Sequence, residues 1–228
     1  MKTILVLIAL VSLQFSPAAQ EANALVKNVK AKLDKVNDYV AEGRMKTDVA
    51  CIKAPAGRVK VLYKKPNKFK VKRDGGISIL PKGGVSINMS SLLAGNAFDI
   101  IPAGESTVAG TKVKIVKLLP RDEASDVVLT TLYIDEANAL IRKTNTTTRD
   151  NGTYEMEMSY GKFASFGLPD KVIFSFNTKD YKIPKGLTLD FESGETLKEN
   201  KLKNKKGRVE ITYSNYVVNK GVNDAEFK

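Results

Sequence analysis

The sequence predicts a mainly β domain of the α+β class: one large curved antiparallel sheet, open or partly closed, with one long helix ahead of it. Three observations lead there. Beyond residue 40 the chain breaks into short segments of alternating apolar and polar residues, separated by turn chemistry. Before them, one stretch repeats its apolar residues at the three- and four-residue steps of an amphipathic helix. That helix and one short companion are too little to cover the dry face of so many strands. Uncovered apolar area costs about 25 cal/mol per Å², so the sheet either closes on itself or holds something apolar.

The elements follow in order. Met1-Lys2 is a short basic start, Ile4 to Phe15 is mostly apolar, and Ser16-Pro17-Ala18-Ala19-Gln20 offers small residues for cleavage. This is the layout of a secretory signal peptide over residues 1–19, too short for the ~20 apolar residues of a membrane-spanning helix. Residues 20–228 are then a single domain, with 193–228 a C-terminal extension carrying the last strand. No cysteine follows the apolar run, so an exported, soluble chain that is not itself a lipoprotein is expected in the periplasm.

From Glu21 to Tyr39, residues Leu25, Val26, Val29, Leu33 and Val36 form one helical stripe that extends to Val40. Strands are predicted at 44–54, 57–64, 69–73, 77–80, 85–88, 97–101, 111–119, 127–135, 139–147, 154–162, 171–177, 188–192 and 208–217. Asp150-Asn151-Gly152 marks a turn between two of them. Ser90-Ser91-Leu92-Leu93-Ala94-Gly95 reads as a short capped helix ending at glycine. Val59, Val61 and Tyr63 alternate with basic residues, and Met156 and Met158 with Glu155 and Glu157, giving strands with one dry face. Val127 to Ile134, by contrast, is apolar on both faces.

Charge and absences limit the function. The chain carries +12, reduced to +11 when Lys2 leaves with the leader. That balance suits an anionic lipid surface, and export argues against nucleic acid; alternating solvent-facing lysines would equally serve to keep a β protein soluble. There is no histidine, which removes Ser-His-Asp and Cys-His nucleophile systems and most zinc sites. Cys51 is the single cysteine, excludes an internal disulfide, and sits in a strand pattern as a small apolar residue. Gly75-Gly76 and Gly83-Gly84 read as hairpin turns rather than a phosphate loop. No catalytic residues, cofactor or metal site are predicted, and the chain is expected not to be an enzyme.

Two segments also carry a family resemblance. Leu33-Asp34-Lys35-Val36-Asn37-Asp38-Tyr39, followed by Val61-Leu62-Tyr63-Lys64-Lys65-Pro66-Asn67-Lys68-Phe69, resembles the opening of the LolA/LolB-like outer-membrane lipoprotein carriers. Leu118-Leu119-Pro120, the 127–135 and 139–147 hairpin, and Pro184-Lys185-Gly186-Leu187-Thr188-Leu189 are similar to later family segments, so the likeness covers roughly residues 24–191.

The resemblance implies an incomplete β-barrel with a long N-terminal helix and a short lid helix over a hydrophobic cavity for acyl chains. It places Val61, Tyr63 and Phe69 on the cavity wall and Leu92 and Leu93 on the lid. Lys65 falls where the family has a lid-latching arginine, a rigid five-donor fork that lysine does not reproduce. Met156 and Met158 join the candidate cavity from the dry face of their strand. The implied function is a periplasmic carrier, a monomer that binds lipoprotein acyl chains or other lipids and moves them toward the outer membrane. Its partners would be membrane-bound release and acceptor proteins, met transiently. The alternative is an RseB-like envelope sensor on the same fold. Lys198, Lys201, Lys203, Lys205 and Lys206 would suit anionic headgroups or a solvated loop.

Overall fold

A computed structural model describes residues 17–49, 52–73, 89, 93, 98–150, 152–177 and 206–227. Cys51, Leu92, the predicted strands at 77–80, 85–88 and 188–192, and Lys198 to Lys205 lie outside the described residues, as does most of the predicted leader.

Helix α1 is described over Pro17–Leu33. It buries Ala22, Leu25, Val26, Val29 and Leu33. The stripe predicts a helix as far as Tyr39, and the structure ends it at Leu33. The reason is tertiary. Asn219, from beyond the last strand, donates its side-chain amide to Lys35 O (2.8 Å) and accepts from Asn37 N (2.7 Å). Asp38 accepts from the backbone N–H groups of Lys220 and Gly221 at 3.1 and 3.0 Å. Those bonds hold residues 34–37 out of the helix, and Tyr39 and Val40 then behave as strand formers.

Among the described residues ten strands follow: β1 (Asp38–Val49), β2 (Ile52–Lys64), β3 (Lys68–Arg73), β4 (Phe98–Val108), β5 (Thr111–Pro120), β6 (Val127–Asp135), β7 (Leu140–Thr148), β8 (Thr153–Ser159), β9 (Lys171–Asn177) and β10 (Lys206–Val218). They form one antiparallel sheet in the order β3-β2-β1-β10-β9-β8-β7-β6-β5-β4, open at β3 and β4. The predicted open mainly β fold is therefore observed. Among the described residues, β3 and β4 are the two opposite edges of the sheet. Met89 and Leu93 are buried in the core.

Several boundaries differ from the sequence reading, each for a local reason. The predicted break near Pro55 is absent because β2 runs through it. A register shift between Met45 and Thr47 lets Met45 face Gly57 and Thr47 face Ala54, and Pro55 falls in the bulge, where no ladder N–H is required. Strand β4 continues past Pro102 because it is the edge strand, bulged between Pro102 and Glu105 with Gly104 at φ +89°. β10 is not a terminal add-on; it sits in the middle, between β1 and β9. The two-sided apolar strand β6 buries Thr130, Leu132 and Ile134, while Leu129 and Tyr133 on its other face are half-buried. A 3-10 helix, Asp224–Phe227, closes the described chain.

Candidate functional site

The core lies on one face of the sheet, beneath α1. Alternation puts Tyr39, Ala41 and Met45 of β1, Val59, Val61 and Tyr63 of β2, and Tyr154, Met156 and Met158 of β8 on that face, all buried. β10 would show tyrosine to it only once without its irregularity. The register with β1 shifts at Glu42/Gly43, and Ser214 is taken out of step, its hydroxyl donating to Glu42 O at 3.0 Å. Tyr213 and Tyr216 then both point to the core side. Gly43 is required at this point, because a Cβ there would meet Thr212 O at 2.3 Å.

Between this face and the end of α1 is a cavity of about 40 Å³, lined among others by Leu33, Phe69, Met89, Met156, Met158 and Tyr216. Tyrosine rings cluster at it: Tyr39 lies 5.3 Å from Tyr63 and meets Tyr216 edge-on at 5.5 Å, and Tyr213 lies 5.1 Å from Tyr216. Tyr216 donates to Pro169 O (2.7 Å), and Tyr160, packed against the same core, to Ile141 O (2.8 Å). Burial pushes the hydroxyls of Tyr39, Tyr160, Tyr213 and Tyr216 upward, so none ionises near neutrality. The cavity wall is uncharged, aromatic and thioether-rich. Methionine adapts to irregular apolar occupants because its chain is unbranched and soft.

Helix α1 lies over this face, and polar contacts hold its C-terminal end. Lys65 Nζ, at the end of β2, donates to the Asp34 carbonyl at 2.7 Å and sits 3.7 Å from the Asp34 carboxylate. Lys32 Nζ donates to Asn138 O in the β6–β7 turn. That turn is itself pinned by Asp135, which accepts from Arg142 Nη2 at 2.8 Å and Asn138 Nδ2 at 2.9 Å. Burial alone would raise the Asp135 carboxyl; the hydrogen bonds from Arg142 and Asn138, with the guanidinium charge, hold it below the usual range. Near its N-terminus, α1 meets β4 and β5 across a second cleft of about 150 Å³, lined by Ala22, Leu25, Pro102, Ile115 and Val116. There Lys114 Nζ joins Glu21 (3.0 Å) to Glu105 (2.7 Å), and these partners hold its ammonium well above the ordinary lysine range.

Of the residues singled out from the sequence, Phe69, Met156 and Met158 line the cavity. Val61 and Tyr63 are on the same face, buried beside it, and Leu93 is buried in the same core. Lys65 reaches the end of α1. The sequence reading missed Tyr39, assigned to the helix, and Tyr213 and Tyr216, whose shared direction depends on the bulge. It also missed Gly167-Leu168-Pro169, which lines the cavity where Gly167 adopts φ +68° against Leu33. Among the described residues no three His, Cys, Asp or Glu side chains are gathered as a metal site.

No protein-family model and no curated protein matches this chain. Solved structures do share its fold. A domain assigned to outer membrane lipoprotein sorting in Vibrio parahaemolyticus superposes with a TM-score of 0.57 at 12% identity, over 92% of this chain and 97% of that one. A LolA superfamily protein from Nitrosomonas europaea gives 0.56 at 10% identity over 91% and 97%. A DUF1329 family protein from Desulfovibrio piger gives 0.56 at 12%, with the same coverage. The chain thus has the open, barrel-like antiparallel β fold with an overlying N-terminal helix. More particularly, the fold is LolA-like, as the two opening motifs implied.

Proposed function

We propose that this protein is a periplasmic, non-enzymatic carrier that holds the acyl chains of lipoproteins or other lipids on the concave face of its sheet and moves them toward the outer membrane. The supporting observation is the cavity at the end of α1: uncharged, walled by Phe69, Met156, Met158 and tyrosine rings, and closed on the helix side by Leu33. At about 40 Å³ it is too small for an acyl chain as it stands. Loading therefore displaces the helix. Each methylene left in water costs ~0.8 kcal/mol, and α1 covers the face with Leu25, Val26, Val29 and Leu33 when no lipid does. A lipid tail replaces one apolar cover by another, so the exchange is close to neutral for the sheet.

The fastening of α1 fits such an exchange. Its C-terminal end is tied by Lys65, Lys32 and Asn219, while the polar ties of its other end are the Glu21–Lys114–Glu105 ion pairs beside Ala22 and Leu25. Exposed ion pairs are weak and exchange readily with water. In this reading Lys65 anchors the hinge end of α1, while Val61, Tyr63, Leu92 and Leu93 extend the apolar surface that the tail meets. Cleavage near Ala19 would retain Glu21, and with it the N-terminal fastening. The protein acts as a monomer and meets release and acceptor proteins at the two membranes only transiently.

Titration with a fluorescent fatty acid tests this. Wild type binds it. Phe69→Glu, at a half-buried edge position where a carboxylate reaches water, loses binding and keeps its melting temperature within a few degrees. Absence of wild-type binding, or undiminished binding by Phe69→Glu, refutes the reading.

A further inference from the structure

The outer face of the β1–β2–β3 corner breaks a rule that the rest of the sheet keeps. Elsewhere, charged residues facing each other across the ladders have opposite signs: Lys46 faces Glu210, Asp48 faces Arg208, Lys143 faces Glu157 and Glu105 faces Lys114. At this corner Lys60 faces Lys72, Lys64 faces Lys68, and Arg44 faces Arg58, although on their β1 side Lys60 and Lys64 lie opposite Glu42 and Asp38. Like charges directly opposite each other on one face destabilise a sheet. Lysine on an edge strand can serve to block edge pairing, but Lys60 and Arg58 are on the interior strand β2, where that purpose is absent.

The last described residues lie across this face. Lys64 Nζ donates to Val222 O at 3.0 Å. Asp224 bridges the Lys64/Lys68 pair, 2.7 Å from Lys64 and 3.0 Å from Lys68. Glu226 meets Lys72 of the Lys60/Lys72 pair and also feels the charges of Lys60 and Lys70. Both carboxyls are held below their ordinary range, first by the hydrogen bonds from these lysines. Asp224 thus occupies a position between two cations that otherwise repel, and Glu226 pairs with Lys72 within the field of Lys60. The contacts are solvent-exposed: the side chains of Lys64, Lys68, Lys72, Asp224 and Glu226 keep between 35% and 57% of their exposure. Such contacts yield to competing anions.

We propose that the outer face of β1–β2–β3 is a docking surface for an anionic phospholipid bilayer, and that the acidic segment Asp224–Phe227 occupies it as an internal competitor. Repeated anions on a flat array match the geometry, because the lysines project from pleated strands at every second residue rather than around a pocket. Edge strand β3 also ties the surface to the cavity. Its Phe69 lines the cavity while Lys68 and Lys72, of opposite parity, face outward. A bilayer bound at the lysines would therefore lie beside the rim of the apolar site. Headgroups displace Asp224 and Glu226, and the tail returns when the protein leaves the membrane.

The test is sedimentation with phosphatidylcholine vesicles, with and without phosphatidylglycerol, at low ionic strength. It needs no ligand in the cavity, so its failure leaves the carrier reading standing and the converse also holds. Wild type should bind only the anionic vesicles. Lys60→Gln/Lys68→Gln/Lys72→Gln should bind them roughly 100-fold more weakly, at about fivefold per lysine, with its melting temperature within a few degrees. Asp224→Asn/Glu226→Gln should bind more tightly than wild type. The charge-matched control Lys112→Gln/Lys117→Gln/Lys162→Gln should stay within a few fold of wild type. Equal losses in control and corner variants would show a net-charge effect and overturn the proposal. So would unchanged binding in Asp224→Asn/Glu226→Gln, or binding to a polyglutamate peptide with none to vesicles.

Discussion

Truncating Met156 to alanine distinguishes a packed core from a ligand site. Met156 is 1% exposed on β8, between Thr144 and Phe174 in the register, and lines the cavity. Met45 is 0% exposed on β1 and belongs to the same core without lining the cavity. Both truncations remove the same atoms, and each should cost about 3 kcal/mol, within the range for buried Met→Ala changes. For a domain of this size that is a fall of about 6–12 °C in melting temperature. Binding should separate them. Space vacated by Met156 adjoins the proposed acyl site, and each methylene newly accommodated adds ~0.8 kcal/mol, about fourfold in affinity. A fluorescent fatty acid should therefore bind Met156→Ala several-fold more tightly than wild type and Met45→Ala unchanged, once unfolding is corrected for. Equal effects of the two truncations on affinity would refute the assignment of this cavity as the acyl site.

Three further outcomes follow from particular contacts. Asp135→Ala breaks the pair with Arg142 and should cost about 3 kcal/mol near neutral pH. Because the folded carboxyl is held below its unfolded value of about 3.9, that contribution is complete above this pH and lost as pH falls through the folded value. Urea titrations of wild type and variant should accordingly converge in strong acid; a constant gap would contradict this. Thr144 Oγ1 is buried with no hydrogen-bond partner among the described residues, so Thr144→Val should stabilise by about 1 kcal/mol, and a loss of stability by calorimetry would show that the hydroxyl is satisfied. Lys65→Ala should change melting by no more than ~1 kcal/mol while speeding uptake of an apolar fluorescent probe in stopped flow; unchanged kinetics would remove Lys65 from the hinge.

Much of the fold was legible because its signals are local. The Lys/Val alternation of β2, the methionines of β8 and the stripe of α1 each state their own period, and the two opening motifs pointed to a LolA-like arrangement. What was hidden depends on distant partners. Asn219 and Asp38 end α1 early through bonds spanning the length of the domain. Pro55 and Pro102 looked like strand ends, and bulge and edge geometry allowed the strands to pass through them. The cavity was half legible: Phe69, Met156 and Met158 lie on clean alternating strands. Tyr213 and Tyr216 share a face only because Ser214 steps out of the ladder, and nothing in the local pattern announces that.

The central claim, that acyl chains lie between the concave face and α1, is most directly tested by photo-crosslinking. A diazirine-bearing fatty acid would be bound, illuminated, and its adducts mapped by peptide mass spectrometry. The account predicts labelling on Phe69, Met156, Met158 and Tyr213 and on the inward side of α1 at Leu25, Val29 and Leu33, all suppressed by excess unlabelled fatty acid. Labelling confined to the outer face of the sheet, or adducts that excess fatty acid fails to suppress, would contradict it.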